Sequence, residues 1–582
     1  MSSNIFTIVS SADCTTAKRK ENYITMKKHS YLKHAAAAAM AASMIVSLVA
    51  CGQKQEAETS APAAEKTEAK SEGESGGTAA PAEFSYPMAE GETLQYWLQP
   101  TTTVTANFAS LGDTPFAKGL MENTGINVEF LQPPQGQDKE QFSLIIADGD
   151  LPDIMEYNWI SDYPGGPEKA IRDGVIVPLN DIMDQYCPNL KAYLAENPDI
   201  DRACKTDDGN YYCFPFVRGD ETLLNTIGLM LRSDWLEELN LEVPETIDEW
   251  HTVLTVFKEE KGCTAPYTFE YTNNQYLGAN PFVAAFDTNY SFYIGSDDKV
   301  HFGAAEEGYK NYLETMSQWY FEGLLDADIA TMKSDQVSAK ITNGTAGASL
   351  GQAGSRMGTW LAAAQQTNPD YNLKAAPQPS TEKGKKAEFG HVEVPYSGRS
   401  SAAITTSCED IERAARLLDW AYSDEGHMYY NFGAEGVTYT MESGDPIYTD
   451  EILNNPNGWP VGQAMSAYIR GNYNGPFVQD KRYVTQYYTM EPQKETPNIW
   501  GAASSNGAAH VMPPITPTSD ESKEFSTIMN QINTYRDEMT LKFIFGDTDI
   551  SEFGEYVANM EKMGLERALE IQNAAYERYK TR

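Results

Sequence analysis

Between residues 93 and 157 the chain alternates short β-favouring runs with helix-favouring ones. Residues 93–98, 126–130 and 153–157 have the apolar, aromatic and branched content of strands. Residues 114–123 and 139–147 have the spacing of helices. Strands that alternate with helices at this interval must run parallel, because each helix carries the chain back across the sheet. Ligands bind at the carboxyl ends of strands in such sheets, and Trp97, Tyr157 and Trp159 fall at such ends. A second set starts at residues 228–232. The acidic first turn of a helix follows near Asp248, where the helix dipole favours negative charge. Asn343-Gly344 leads into a strand of small residues and a glycine-rich loop ending at Trp360. A strand over 401–405 and an amphipathic helix over 411–422 come next, and helices fill 520–582. A chain of 582 residues exceeds what one core serves well. The expected class is α/β with two lobes.

The amino-terminal part reads differently. Lys27, Lys28 and Lys33 precede an apolar run over 35–50, of signal-sequence length and short for a membrane span. Met26 fits as the true start. The run ends Leu48-Val49-Ala50-Cys51, which resembles the lipobox of bacterial lipoproteins. That resemblance implies a signal region over 1–50 and a lipid on Cys51. Residues 51–84 are Ala, Glu, Lys, Ser, Thr, Gly and Pro with almost no large apolar side chain, a composition expected to form a disordered tether. The expected location is the extracellular face of the cell membrane, by lipid anchor.

The net charge is −39, and removing residues 1–50, with six basic and two acidic residues, takes it to −43. A phosphate backbone would be repelled, so no nucleic-acid partner is expected. After Cys51 there are five cysteines. Cys204 and Cys213 flank an Asp208-Gly209 turn signal. With those two residues as the loop, the cysteines face each other at about 4.5 Å between Cα atoms. That is the short end of disulfide range, and two reduced, packed thiols are the alternative.

Catalytic and metal motifs are weak. Gly347-Ala348-Ser349-Leu350-Gly351 matches the serine elbow G-x-S-x-G, with His391, His427 and His510 downstream, but no acid–His pair accompanies it. The seven histidines show no zinc spacing. Asp207-Asp208-Gly209 and Asp547-Thr548-Asp549 are similar to parts of calcium loops without the full ligand series. No cofactor is expected, calcium elsewhere being the open alternative.

Gly149-Asp-Leu-Pro-Asp-Ile154, Asp208-Gly-Asn-Tyr-Tyr212, Arg232-Ser-Asp-Trp-Leu236, Asn343-Gly-Thr-Ala-Gly347 and Asn431-Phe-Gly-Ala-Glu435 together, in this order, resemble the extracellular solute-binding proteins of ABC importers, the group that includes maltose-binding proteins. The resemblance covers residues 90–582. It implies a periplasmic-binding-protein-like fold with a hinge and an interlobe cleft, a sugar ligand and a permease partner. It also implies a monomer that binds and does no chemistry. The implied division is 85–217 in lobe 1, 218–390 in lobe 2, 391–430 back in lobe 1, and 431–582 in lobe 2 with the terminal helices. Sugars offer an apolar face to aromatic rings and a hydroxyl rim to polar side chains. The ligand-contact candidates are therefore Trp97, Tyr157 and Trp159 at strand ends, Arg218 and Asp220 at the first crossing, Gln352 and Trp360 around the glycine-rich loop, Tyr396 and Arg399 at the return crossing, and Trp500 on a late loop. A glycan hydrolase, and a peptide or sensor receptor of the same fold, are the alternatives.

Overall fold

The computed structural model describes residues 84–271, 280–471, 475–504 and 506–582. The signal region, Cys51 and all but the last residue of the tether lie outside them. Two four-stranded sheets organise the body. The first has β1 (Leu94–Trp97), β2 (Val128–Leu131), β3 (Ile154–Tyr157) and, from much later in the chain, β11 (Ser401–Ile404), in the order β11-β3-β1-β2. β2, β1 and β3 are parallel, with Tyr96 opposite both Phe130 and Ile154, and β11 is antiparallel at the edge. The alternation seen in the sequence is this βαβ arrangement.

Local chemistry sets the element ends. The helix Pro115–Thr124 starts with Thr114, whose side chain accepts from Ala117 N at 3.2 Å, and ends at Gly125 with φ +70. Threonine satisfies an orphan amide, and glycine takes the left-handed turn without Cβ strain. The helix Ile247–Lys261 repeats the design: Thr246 caps it, Asp248 and Glu249 fill its first turn, and Trp250, Val253, Leu254 and Phe257 face inward.

The second sheet has β5 (Ile227–Arg232), β6 (Tyr267–Thr268), β9 (Ala348–Gln352) and β10 (Leu373–Ala375), ordered β10-β5-β9-β6. β9 is antiparallel to β5 and parallel to β6. Between β6 and β9 lies the hairpin of β7 (Phe292–Ile294) and β8 (Val300–Phe302). One apolar core surrounds the first sheet and takes in residues from 94–216, 396–430 and the far carboxyl end, including Ala575 and Tyr579. A second surrounds β5 and β9 and includes Leu565 and Ala568. The terminal helix Leu565–Lys580 thus starts in one core and ends in the other. Arg578 Nε donates to Asp207 Oδ2 at 2.6 Å and Arg582 Nε to Asp207 Oδ1 at 2.8 Å, which pins that end to the first lobe.

Three segments cross between the cores. β4 (Val217–Arg218) pairs in parallel with the strand Val478–Gln479. Val217 N and Gly219 N donate to Phe477 and Gln479 on one side, while Arg218 N donates to Pro395 O, at 2.9 Å, on the other. Successive amides of an extended strand point opposite ways, so β4 lies between the other two crossings and ties them together. A buried cluster anchors the third crossing: Arg470 bridges Glu156 at 2.8 and 3.2 Å, and Tyr96 Oη donates to Glu156 at 2.9 Å.

The turn at Asp208-Gly209 differs from expectation by one residue. Lys205 bridges Tyr211 and Thr206 N donates to Asn210 O, so the loop is Asp207-Asp208-Gly209. Gly209, φ +78, takes its left-handed position. This register sets Cys204 opposite Tyr212, not Cys213, and the expected bridge does not form; both are free, buried thiols. Cys213 Sγ lies 3.2 Å from Tyr396 Oη instead. Burial pushes its thiol up to about 11.

Candidate ligand cleft

A cleft of about 870 Å³ opens above the crossings. Four groups of residues line it. Thr103 and the start of the helix Val461–Tyr468 stand on one wall. On the facing wall are Gln352 at the end of β9, the π-helical turn Ala353–Gly358, Ala362 and Ala363 of the helix Thr359–Ala364, and Gln366 in the turn after it. Phe216, Arg218, Glu393, Arg399 and Gln479 form the floor at the crossings. The segment from Tyr483 to Gln493 closes one side with Tyr483, Tyr487 and Tyr488.

The π-helical turn explains how that segment approaches so closely. A Cβ on Gly354 would lie 2.5 Å from the Tyr487 ring, and one on Gly358 would collide with Gln493, whose Nε2 donates to Ala353 O at 2.9 Å. The absence of these two side chains gives the tyrosines and the glutamine their seats. The rings of Tyr483, Tyr487 and Tyr488 follow one another at 6.1 and 5.6 Å between centroids. Gln479 Nε2 donates to Tyr483 Oη at 3.2 Å and so fixes the first of them from the floor.

The floor is electrostatically ordered. Arg218 Nη2 lies 2.5 Å from Glu393 Oε2, and Thr226 Oγ1 donates to Glu393 Oε1 at 3.1 Å. Burial alone would raise the Glu393 carboxyl. The His391 imidazole and the Arg218 and Arg399 guanidinium groups outweigh it and hold the carboxyl at about 2. Apart from this trio of charges, Arg218, Glu393 and Arg399, the lining is amide, hydroxyl, aromatic and aliphatic, with five glutamines at 352, 366, 463, 479 and 493. Such groups can exchange hydrogen bonds with a polyhydroxylated ligand while the rings cover its apolar faces.

Of the residues expected at the ligand, the cleft gathers Arg218, Gln352 and Arg399. The others sit elsewhere. Trp97, Tyr157 and Trp159 pack with Phe142 in the first core; Trp159 is fully buried and its Nε1 donates to Met155 O. Phe142, on the helix Asp138–Asp148, covers these three rings at the strand ends. Asp220 caps the turn Glu221–Leu223 and pairs with Lys481 at 2.7 Å. Trp360 is buried, donating to Ser338 Oγ at 2.9 Å. Tyr396 shares a buried hydroxyl cluster with Tyr212, 2.6 Å, and Ser401, 3.1 Å. Trp500 lies over Gly228 with Nε1 donating to Leu229 O. The sequence did not point to Glu393, Gln479, Gln493 or the tyrosines from 483 to 488. Their one signal is three tyrosines within six residues in a segment with no apolar period.

The other motifs are structural in place. Ser349 of the G-x-S-x-G match lies mid-strand in β9, opposite Met230 and fully buried. His427 meets Asp480 at 3.0 Å, and His510 Nδ1 lies 2.6 Å from Ile294 O. Asp207 is engaged by the two arginines, and Asp549 Oδ1 accepts from Ser551 N and Oγ. Among the described residues no group of three or more His, Cys, Asp or Glu that could hold a metal ion is found.

Residues 103–428 match the family described as bacterial extracellular solute-binding protein. The chain belongs to that family. It is 24% identical over 521 residues to the fructooligosaccharide ABC transporter substrate-binding protein FusA of Streptococcus pneumoniae, spanning 85% of this chain and 92% of that protein. It is 21% identical over 473 residues to the polygalacturonan/rhamnogalacturonan-binding protein YtcQ of Bacillus subtilis, spanning 79% and 87%. Among solved structures, alginate-binding protein AlgQ2 without calcium ion superposes with a TM-score of 0.66 at 26% identity, covering 83% of this chain and 98% of that one. FusA in complex with kestose gives 0.67 at 21% identity, covering 84% and 100%. The two-lobed α/β fold expected from the sequence is the fold of this solute-binding family. Among the described residues no helix is long and apolar enough to cross a membrane.

Proposed function

We propose that this solute-binding protein captures an oligosaccharide in the cleft and delivers it to the permease of an ABC importer. The observation that carries this is the lining itself: a volume of about 870 Å³ walled by glutamines, hydroxyls and three successive tyrosines. The names of FusA, YtcQ and AlgQ2 point the same way. Three crossings hydrogen-bonded side by side suit lobes that close by hinge motion. The cleft residues bind and orient: Arg218, Gln352 and Arg399 face the hydroxyl rim, and the tyrosines cover ring faces. No bond-breaking is assigned, since Ser349 is fully buried inside a strand. No resident metal is assigned either. The lobe division that goes with this reading gives 431–470 to the first lobe, further than the sequence placed it, because the helix Val461–Tyr468 packs on Thr102–Thr105 and Pro115–Thr124. The anchor is a lipid on Cys51, at the extracellular face, and the protein acts as a monomer. A tether of that kind raises its effective concentration at the permease.

Thermal shift of the purified chain against oligosaccharides, peptides and calcium tests the reading. A ligand at 100 times its Kd adds about 2.7 kcal/mol to stability. A shift with a glycan that is recovered intact supports it. A shift with peptides alone, or disappearance of the glycan, refutes it.

A further inference from the structure

Resting on the oligosaccharide reading, we infer that the ligand is uncharged and that Arg399 is a hydroxyl-reading residue of the cleft. The charge in the lining decides the first part. Arg218 and Glu393 lie 2.5 Å apart and cancel. Arg399 makes no ion pair among the described residues, is exposed, and lines the cleft floor. The lining therefore carries one net positive charge. Its volume, about 870 Å³, is near the top of the range of about 300–1,000 Å³ for small-molecule clefts and admits several sugar rings. A polyuronate of that length brings one carboxylate per ring to a lining with one net positive charge. Each further carboxylate would be desolvated without a partner, which is far more costly than burying a hydroxyl among amides. The field of a chain with net charge −39 also opposes the approach of a polyanion. Neutral hydroxyls meet neither barrier, and five glutamines supply both donors and acceptors for them.

The backbone singles out Arg399. It stands between Gly398, φ +79, and Ser400, φ +52. A left-handed serine is strained, and such strain persists only where neighbours over-determine the conformation. The neighbours are Tyr396, held by Tyr212 and Ser401, and Ser401 itself, paired with Tyr157 in the first sheet. The return crossing is thus fixed on both sides of Arg399, and its guanidinium is left at the cleft floor.

Calorimetric titration of the full chain with neutral fructo-, gluco- and manno-oligosaccharides, and with oligogalacturonates and oligoalginates of the same lengths, at 20 and 200 mM salt, tests both parts. The expected result is a neutral glycan whose Kd changes less than twofold with salt, and uronates at least 100-fold weaker. Arg399→Gln should weaken the neutral glycan about tenfold, with thermal stability retained. A uronate series that binds more tightly than its neutral counterparts, with an affinity that falls with salt, overturns the inference and leaves the oligosaccharide reading standing. Arg399→Gln binding the neutral glycan as well as wild type overturns the role of Arg399. Binding by neither glycan series removes the reading on which the inference rests.

Discussion

Glu393→Gln is the substitution whose effect can be worked out furthest. The residue sits on the return crossing, pairs with Arg218 on the first crossing and accepts from Thr226. Its carboxyl is held at about 2 against an ordinary 4.5. At about 1.4 kcal/mol for each pH unit, that gap is worth about 3 kcal/mol of folding free energy. A carboxylate whose folded value is depressed gives its stabilisation in full above the unfolded value, and loses it as pH falls through the folded one. Wild type should therefore exceed the Gln variant by about 3 kcal/mol at pH 6 and by about 1 kcal/mol at pH 3. Urea unfolding of both proteins at the two pH values measures this. A difference below about 0.5 kcal/mol at pH 6, or one that grows as pH falls, would refute the claim that an ion pair orders the crossings.

Other expectations follow from the same geometry. Alkylation of the denatured but unreduced protein should label both Cys204 and Cys213, since the hairpin register keeps them free; protection lifted only by reductant would show a bridge. Gly354→Ala puts a methyl group 2.5 Å from the Tyr487 ring; displacement of that ring should weaken glycan binding by roughly tenfold, about 1.4 kcal/mol, and unchanged affinity would mean that Tyr487 is no part of the site. Asp207→Ala leaves Arg578 and Arg582 without their shared carboxylate. Loss of one side of a largely buried pair costs about 3 kcal/mol, and hydrogen exchange over 575–582 should accelerate; unaltered protection there would argue against the terminal pin.

The elements were legible because their signals are local. Thr114, Pro115 and Gly125 mark one helix, Thr246 and Gly262 another, and the inward faces of both follow from apolar spacing. The site was only partly legible, because it is assembled from five distant segments that meet through the crossings. A tryptophan at a strand end gives no hint whether the next helix will cover it, as Phe142 covers Trp97 and Trp159. Arg218, Gln352 and Arg399 could be found because crossing and glycine-rich segments have few other places to go. Tyr483, Tyr487 and Tyr488 lie in a short irregular stretch, and their role depends on glycines some 130 residues earlier in the chain. The hairpin shows the limit of turn signals: one residue of register moved Cys213 from Cys204 to Tyr396.

Occupation of the cleft is the central claim, and a steric plug tests it most directly. Ala363 is exposed on the cleft wall and belongs to neither core. Ala363→Trp should project an indole into the cleft, obstruct it and leave the fold intact. Calorimetric titration of wild type and this variant with the best-binding oligosaccharide, with the sugar recovered afterwards, is the measurement to make. Saturable binding by wild type, none by the variant at equal thermal stability, and intact sugar are predicted. Equal binding by the two proteins would place the ligand elsewhere and contradict the account.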